Sequence, residues 1–533
     1  MTRSGQIKED TRRTPASDEG GAFRADSLNK RYFFKLSSNL IGLVISVITQ
    51  LIIPRGLGPK AYGDFNFLTN FFTQIINFLD MGTSTCYFTN VSRRPTDFGL
   101  VLFYSGFVFI ISLLIIGFVA VVHLMGLQDT IWLGQAMVYI YLAAGWGLLS
   151  WAVQIISGMA DAYGITVPAE KARMLQRILG LAIILLLYLF HMLYLPQFFL
   201  YNYFILVFLI AVLALIIGKH VSLTRDKITL SLKFIKKYGG TFFDYSHPIF
   251  IIALVALVEG LFGRWLLQYY GGSIEQGFYS LSYQIGAICF LFTGAMTPLL
   301  MREYSILHGT GNIGEMRRLF ERYVPMLFTI AAFFSCFIMV QAKSVVRIIG
   351  GEAFQGGILA VAIMALYPIH QTYGQLTSSL FYATGRTRLY RNIAVFFSLV
   401  GVPTTYFMIA PPDKFGLNAG ATGLAAKMVI INIIAVNVQL YFNTRLLNLN
   451  YRRFLLHQAL CMSILVGLAY IVSGAVSHFI GHPVAGVPLS GVFYSAAVFG
   501  ITCLKPEIFG FRKQDLLQAA KRLSDFVKKP TSK

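Results

Sequence analysis

The chain has 533 residues, of which 56% are hydrophobic and only 13% charged, against roughly 25% charged in an ordinary soluble domain. Lys and Arg outnumber Asp and Glu 44 to 23, a net charge of +21; in a soluble protein this would point to nucleic acid, but the basic residues cluster between hydrophobic spans. The pattern excludes a soluble domain and a nucleic-acid partner, and it predicts an all-α integral membrane protein.

Residues 1–29 are polar, mixed in charge and rich in Gly, Ser and Thr. They are expected to form a disordered cytoplasmic tail rather than a signal peptide, because no apolar h-region follows a short basic start. After Lys30-Arg31, about twenty mostly apolar residues run from Phe33 to Ile53, which at about 1.5 Å each cross a hydrocarbon core of about 30 Å. A Gly/Pro-rich turn, Pro54 to Gly63, leads into a second apolar segment that ends at Ser92-Arg93-Arg94-Pro95. The pair reads as a transmembrane hairpin.

Its second helix carries Asn66, Asn70, Thr73, Asn77, Asp80 and Ser84 at steps of four, three, four, three and four, which puts all of them on one face. In lipid such groups are costly unless paired or wetted, so the face looks at protein or water. Interhelical hydrogen bonding is one reading. The lining of a wet cavity is the other, and six polar positions are more than gluing two helices needs.

Leu57-Gly58-Pro59-Lys60-Ala61-Tyr62-Gly63-Asp64-Phe65, followed by Phe78-Leu79-Asp80-Met81-Gly82, resembles the opening helical pair of Wzx-type polysaccharide flippases. These belong to the MOP (multidrug/oligosaccharidyl-lipid/polysaccharide) transporter superfamily. The resemblance implies a MATE/MOP-like architecture over roughly residues 30–505 and export of a polyprenyl-diphosphate-linked oligosaccharide across the cytoplasmic membrane of a bacterium. It also implies a polysaccharide polymerase and a chain-length regulator as candidate partners. It names no cofactor and does not identify the sugar.

Further spans are predicted near 98–122, 131–156, 174–195, 197–218, 241–263, 277–301, 323–341, 356–384, 391–410, 417–442, 454–478 and 484–504. With the hairpin that makes about fourteen. With the N-terminus inside, the inside segments hold 35 of the 44 Lys and Arg and the outside loops six, Arg55, Lys60, Arg264, Lys343, Arg347 and Lys414. This asymmetry places both termini in the cytoplasm. The hairpin recurs: Gly58 to Gly63 and Gly272 to Gly277 share a Gly-x4-Gly spacing, and Gln154 to Gly164 and Gln371 to Gly385 each end a fourth helix at a glycine turn. Two six-helix lobes follow, 30–218 and 241–443, with a terminal pair over 444–505. The linker 219–240 carries Leu230, Phe234 and Tyr238 among six basic residues and is expected to lie on the inner leaflet, held by membrane lipids. The tail 506–533 repeats that basic amphipathic pattern. The five cysteines match no metal or disulfide spacing and are expected to pack.

Nucleotide-binding loops, His-Glu-x-x-His pairs and nucleophile elbows are absent from the sequence, and the outside loops are too short to hold a glycan polymerase site. What remains are ionisable residues at membrane depth. Lys427 lies ten residues into its span from Leu417, about 15 Å deep; Gly416, Gly420 and Gly423 share its face, so tight helix packing competes with a substrate role. Arg264 and Arg55 are further candidate cations for a diphosphate, and His370, midway along 356–384, is a fourth candidate or a packing residue. Asp244 and His247 near one end of the seventh span, and Glu259 with Arg264 at the other, are candidate gates or interfacial charges. A lipid II-type flippase and a cation-coupled multidrug antiporter stay open as alternatives; the antiporter would need an acid at the midplane.

Overall fold

The computed structural model describes residues 28–220, 232–287, 296–480 and 482–511. The expectations for the N-terminal tail, for Leu230, for Cys289 and for the C-tail beyond Phe511 lie outside the described residues. Among the described residues every regular element is a helix: α1 Leu28–Asp80, α2 Thr83–Arg93, α3 Phe98–Leu124, α4 Gln128–Ile131, α5 Met137–Ala162, α6 Thr166–Leu189 and α7 Leu195–His220 come first. Then follow α8 Leu232–Ser246, α9 Phe250–Ala287, α10 Met296–Gly309, α11 Ile313–Val340, α12 Ala342–Ile349, α13 Ile358–Met364, α14 Tyr367–Ala383, α15 Thr387–Ile409, α16 Gly420–Leu446, α17 Tyr451–Phe479 and α18 Pro483–Leu504. Among the described residues ten helical segments are long and apolar enough to cross a membrane. The expected fourteen rests on counting the arms of α1 and α9 as four more.

The turn expected over Pro54–Gly63 is a break at one residue. Helix α1 runs through Pro54 and changes direction only at Gly58, whose φ of 72° and ψ of 169° are open to glycine and strained for other residues. Helix α9 does the same at Gly272, with φ 70° and ψ −169°. The two breaks stand 214 residues apart, as do Gly63 and Gly277, so the repeat read from spacing is present in the backbone. The fourth-helix ends match as well. Gly164 and Gly385 have φ of 76° and 69°, and in each the next residue closes the helix, Ile165 N to Ala160 O and Arg386 N to Phe381 O, both 2.9 Å, the six-to-one bond of a Schellman end.

The halves interlock at these breaks. A Cβ on Gly63 would overlap the carbonyl oxygen of Ser273, and one on Gly277 would overlap that of Pro59; each glycine seats the residue after the other half's break. Polar ties surround the crossing. Gln135 Nε2 donates to Asp64 Oδ1 at 2.6 Å, and Gln268 Nε2 donates to the Leu133 carbonyl at 3.1 Å and to Ser273 Oγ at 3.2 Å. From there the second arm of α1 runs antiparallel to the first arm of α9, with Gln74 against Gly260 and Phe78 on Phe250 at 5.9 Å.

Alanine at Gly63 or Gly277 therefore must push the two breaks apart. A cysteine at buried Gln268, in a chain whose native cysteines are serine, should react with a thiol reagent about tenfold faster in Gly63→Ala than without it, the change for roughly 1.4 kcal/mol of lost closure. An unchanged rate would show that the crossing does not depend on the glycines.

Several boundaries move. The seventh span is α9 from Phe250 to Gly272, not 241–263, and residues 232–246 form α8 before it. The break expected at Leu195-Pro196 falls at 190–194, between α6 and α7. The amphipathic linker is helical from Leu232, but its aromatic face meets protein: Phe234 and Tyr238 lie on Phe103 at 6.2 and 5.7 Å, and Tyr238 Oη donates to Asp97 at 2.8 Å. Cys86, Cys336 and Cys461 are buried, whereas Cys503 is exposed.

Candidate functional site

The shift in the seventh span relocates two charges. Glu259 and Arg264, expected at its outer end, stand nine and fourteen residues into α9, and Arg264 is eight residues, about 12 Å, before the break at Gly272. Neither is a loop residue.

Lys427 is 3% exposed on α16, and its Nζ lies 2.9 Å from Glu259 Oε1. Ser398 Oγ on α15 donates to the other carboxylate oxygen at 2.7 Å. Gly401, one turn on from Ser398, makes the room; a Cβ there would come within 3.1 Å of Lys427 Nζ and 3.3 Å of Glu259 Oε1. Lys427 therefore ties α16 to α9, and α15 completes the tie. An ion pair at this depth relieves the cost of each charge.

Arg264 is held differently. Its Nη1 donates to Gln276 Oε1 at 3.0 Å and to Ser280 Oγ at 2.7 Å, both beyond the break, and Gln276 Nε2 returns a bond to the Arg264 carbonyl. The guanidinium carbon stands 4.5 Å over the Tyr279 ring, a cation–π contact. No carboxylate forms an ion pair with it among the described residues, and Nε and Nη2 have no hydrogen-bond acceptor there. Arg264 and Lys427 against Glu259 leave one positive charge in surplus. Tyr62 and Gln284 lie within reach of each other, and neither Tyr62 Oη nor Gln284 Oε1 has a further hydrogen-bond partner among the described residues. Unsatisfied polar atoms at such depth are what a polar ligand or water would meet.

The stripe of α1 grades outward. Asn66, Asn70 and Thr73 are half-buried and Asn77 is exposed. Asn66 Nδ2 and Thr73 Oγ1 return to helix carbonyls, those of Tyr62 and Thr69, at 2.7 Å each, and Asn70 Oδ1 has no partner among the described residues. Asp80 departs from the stripe's role. It accepts from Thr83 Oγ1 at 2.9 Å, Ser84 N at 3.1 Å, Ser84 Oγ at 2.7 Å, Trp151 Nε1 at 3.3 Å and Tyr104 Oη at 3.4 Å. It caps α2 across the left-handed Gly82, which makes it a structural anchor.

The remaining candidates scatter. Arg55 is exposed and Nη2 donates to the Arg347 carbonyl at 2.7 Å, a tie between the halves near the breaks. His370 is buried in α14 with Nε2 unpartnered among the described residues, and it bonds to neither Arg264 nor Lys427. Asp244 and His247 are exposed; His247 stacks on Phe243 at 5.7 Å and forms no ion pair with Asp244. Tyr62, Gln276, Ser280 and Ser398 were not singled out from the sequence. The repeat could have flagged two: Tyr62 and Gln276 stand at the same offset, directly before the interlocking glycines.

Helical arms broken and interlocked at paired glycines, with charges buried between them, make this a multi-pass membrane transporter in fold. A lipid II flippase MurJ in an inward closed conformation is similar with a TM-score of 0.62 and 12% identity, covering 88% of this chain and 99% of that one. An inward-facing multidrug resistance MATE family transporter of the MOP superfamily is similar with a TM-score of 0.57 and 15% identity, covering 78% and 98%. At these identities the likeness is one of fold. Residues 28–298, 271 of the 533, match the family described as polysaccharide biosynthesis protein, and the chain belongs to that family. No curated protein matches it by sequence.

Proposed function

We propose that the protein flips polyprenyl-diphosphate-linked oligosaccharide repeat units across the cytoplasmic membrane by alternating access, with both termini in the cytoplasm and the glycine breaks outside. The physical problem is a diphosphate and several sugars that cannot enter hydrocarbon, joined to a tail that cannot leave it. A polar cavity between two lobes, open sideways for the tail, solves it. The observation that carries this reading is Arg264: a buried cation without a carboxylate partner among the described residues, with Nε and Nη2 free of an acceptor there. A guanidinium fork suits the oxygens of a diphosphate. The stripe, Asn66 to Asn77, would meet sugars or water.

One observation favours a second reading. Glu259 is at membrane depth, where a cation-coupled antiporter needs its acid, although Lys427 and Ser398 already occupy both carboxylate oxygens. Deletion of the gene distinguishes the readings. Loss of a surface polysaccharide, with lipid-linked repeat units accumulating on the inner leaflet, is expected. Normal glycan with altered resistance to cationic drugs would favour the antiporter, and arrest of cell-wall synthesis with normal surface glycan a lipid II-type carrier.

A further inference from the structure

A polar cavity lies away from the breaks and from Arg264. It holds about 690 Å³ between the first turns of α11, the first turns of α17 and the short helical turn Pro506–Phe509 after α18. The local sequence builds it. Asn312 caps α11, accepting from Glu315 N at 3.1 Å, and Asn450 caps α17, accepting from Arg452 N at 3.0 Å. Gly510, at φ +72°, lets the last turn sit on Pro325, which a Cβ would strike.

Arg317, Arg322, Arg453 and His457 line the cavity together with Glu321 and Glu507. Three arginines against two glutamates leave one positive charge in surplus. Glu321 leans to Arg317, 3.9 Å away, a loose pair in an exposed setting. His457 is the telling residue. Its ring meets Phe328 edge-on at 5.8 Å, yet both ring nitrogens are buried without a hydrogen-bond partner among the described residues. A buried imidazole normally satisfies at least one nitrogen.

The ligand this cavity fits has one negative charge, several acceptor oxygens and an apolar part. Along α17, Leu456 and Leu460 line the cavity and are 64% and 51% exposed, so its wall continues onto a surface suited to hydrocarbon. The cavity opens at the Lys/Arg-rich end of the spans, the level of cytoplasmic headgroups. We propose that it binds the phosphodiester headgroup of an anionic glycerophospholipid from the inner leaflet, with Arg317 and Arg453 on the phosphate oxygens, His457 donating a further bond, and the acyl chains along Leu456 and Leu460. This site is independent of what the protein transports.

The test uses the purified full-length protein in neutral detergent, titrated with phosphatidylglycerol, phosphatidylcholine or inorganic phosphate. Melting temperature and bound lipid are followed, the latter by native mass spectrometry. Phosphatidylglycerol should raise the melting temperature more than phosphatidylcholine does, and inorganic phosphate should not. In Arg317→Gln/Arg453→Gln its half-saturating concentration should rise about tenfold or more, since charge-assisted bonds are lost, while Arg388→Gln/Arg391→Gln, elsewhere on the same face, should behave as the parent. If the double variant melts low without lipid, His457→Phe decides: it keeps the ring on Phe328 and should still weaken phosphatidylglycerol severalfold. Unchanged titration in either variant overturns the site. Equal stabilisation by inorganic phosphate overturns the lipid.

Discussion

Arg264→Gln should abolish glycan export while the protein stays in the membrane at near-normal abundance. Glutamine can still reach toward Gln276 and Ser280, so the polar tie across the Gly272 break survives in part, but the surplus charge is gone. Each charge-assisted hydrogen bond to the diphosphate is worth roughly 1.5–3 kcal/mol, and every 1.4 kcal/mol or so is a factor of ten, so two lost bonds leave about 1% of transport or less. Arg264→Lys should fall between: the charge persists, but an ammonium cannot present the planar fork or stack equally on Tyr279. A purely structural arginine behaves otherwise. Both variants would then lose abundance together, because neither side chain can bond Gln276 and Ser280 at once while covering the Tyr279 ring. Export normalised to abundance, measured for both variants, separates the two, and full export by Arg264→Gln would end the diphosphate role.

The architecture was legible wherever one residue type meets one physical demand. Twenty apolar residues demand a membrane, a Gly-x4-Gly at equal offsets demands two similar turns, and the paired positive-φ glycines at 58 and 272 answer both. The stripe of α1 was legible because helical periodicity and the cost of polar groups in lipid act together. Charges were harder. Pro54, Arg55 and Lys60 look like a turn, but the helix runs on through Pro54 and breaks only at Gly58, so the loop shrinks to one residue and Arg55 is drawn into the helix. The same effect at Gly272 carried Glu259 and Arg264 inward by several turns. Asp80 fits the stripe by period, yet Met81-Gly82 ends the helix there, and a carboxylate at the start of α2 finds hydroxyl, indole and amide donors. Pairing between distant spans, as of Lys427 with Glu259 across 168 positions, has no local signature at all. Only the three-dimensional packing of α9, α15 and α16 reveals it.

That pairing sets the second large effect. Lys427→Ala should lower the amount of folded protein and its melting temperature, because it strands Glu259 at membrane depth. Removing one partner of a buried pair costs roughly 3–5 kcal/mol; the lysine is 4% exposed and the glutamate 31%, so the low end of that range applies. Glu259→Ala strands the ammonium, which is the more buried partner, and should cost at least as much. Joint replacement, Lys427→Met with Glu259→Leu, should recover most of the loss, since apolar side chains of similar volume often substitute for a buried pair at little cost. Lys427→Arg is expected to fare poorly despite its charge, because Gly401 leaves little space around Nζ and a guanidinium is wider. The decisive measurement is export per folded molecule in the double variant. If the pair only holds α9, α15 and α16 together, the apolar double variant regains both abundance and export. If Glu259 and Lys427 separate during the cycle to meet substrate or a proton, it regains abundance and stays inactive. A stable, abundant Lys427→Ala single variant would contradict the tie itself, since the carboxylate it leaves behind would then have to be wetted at no cost.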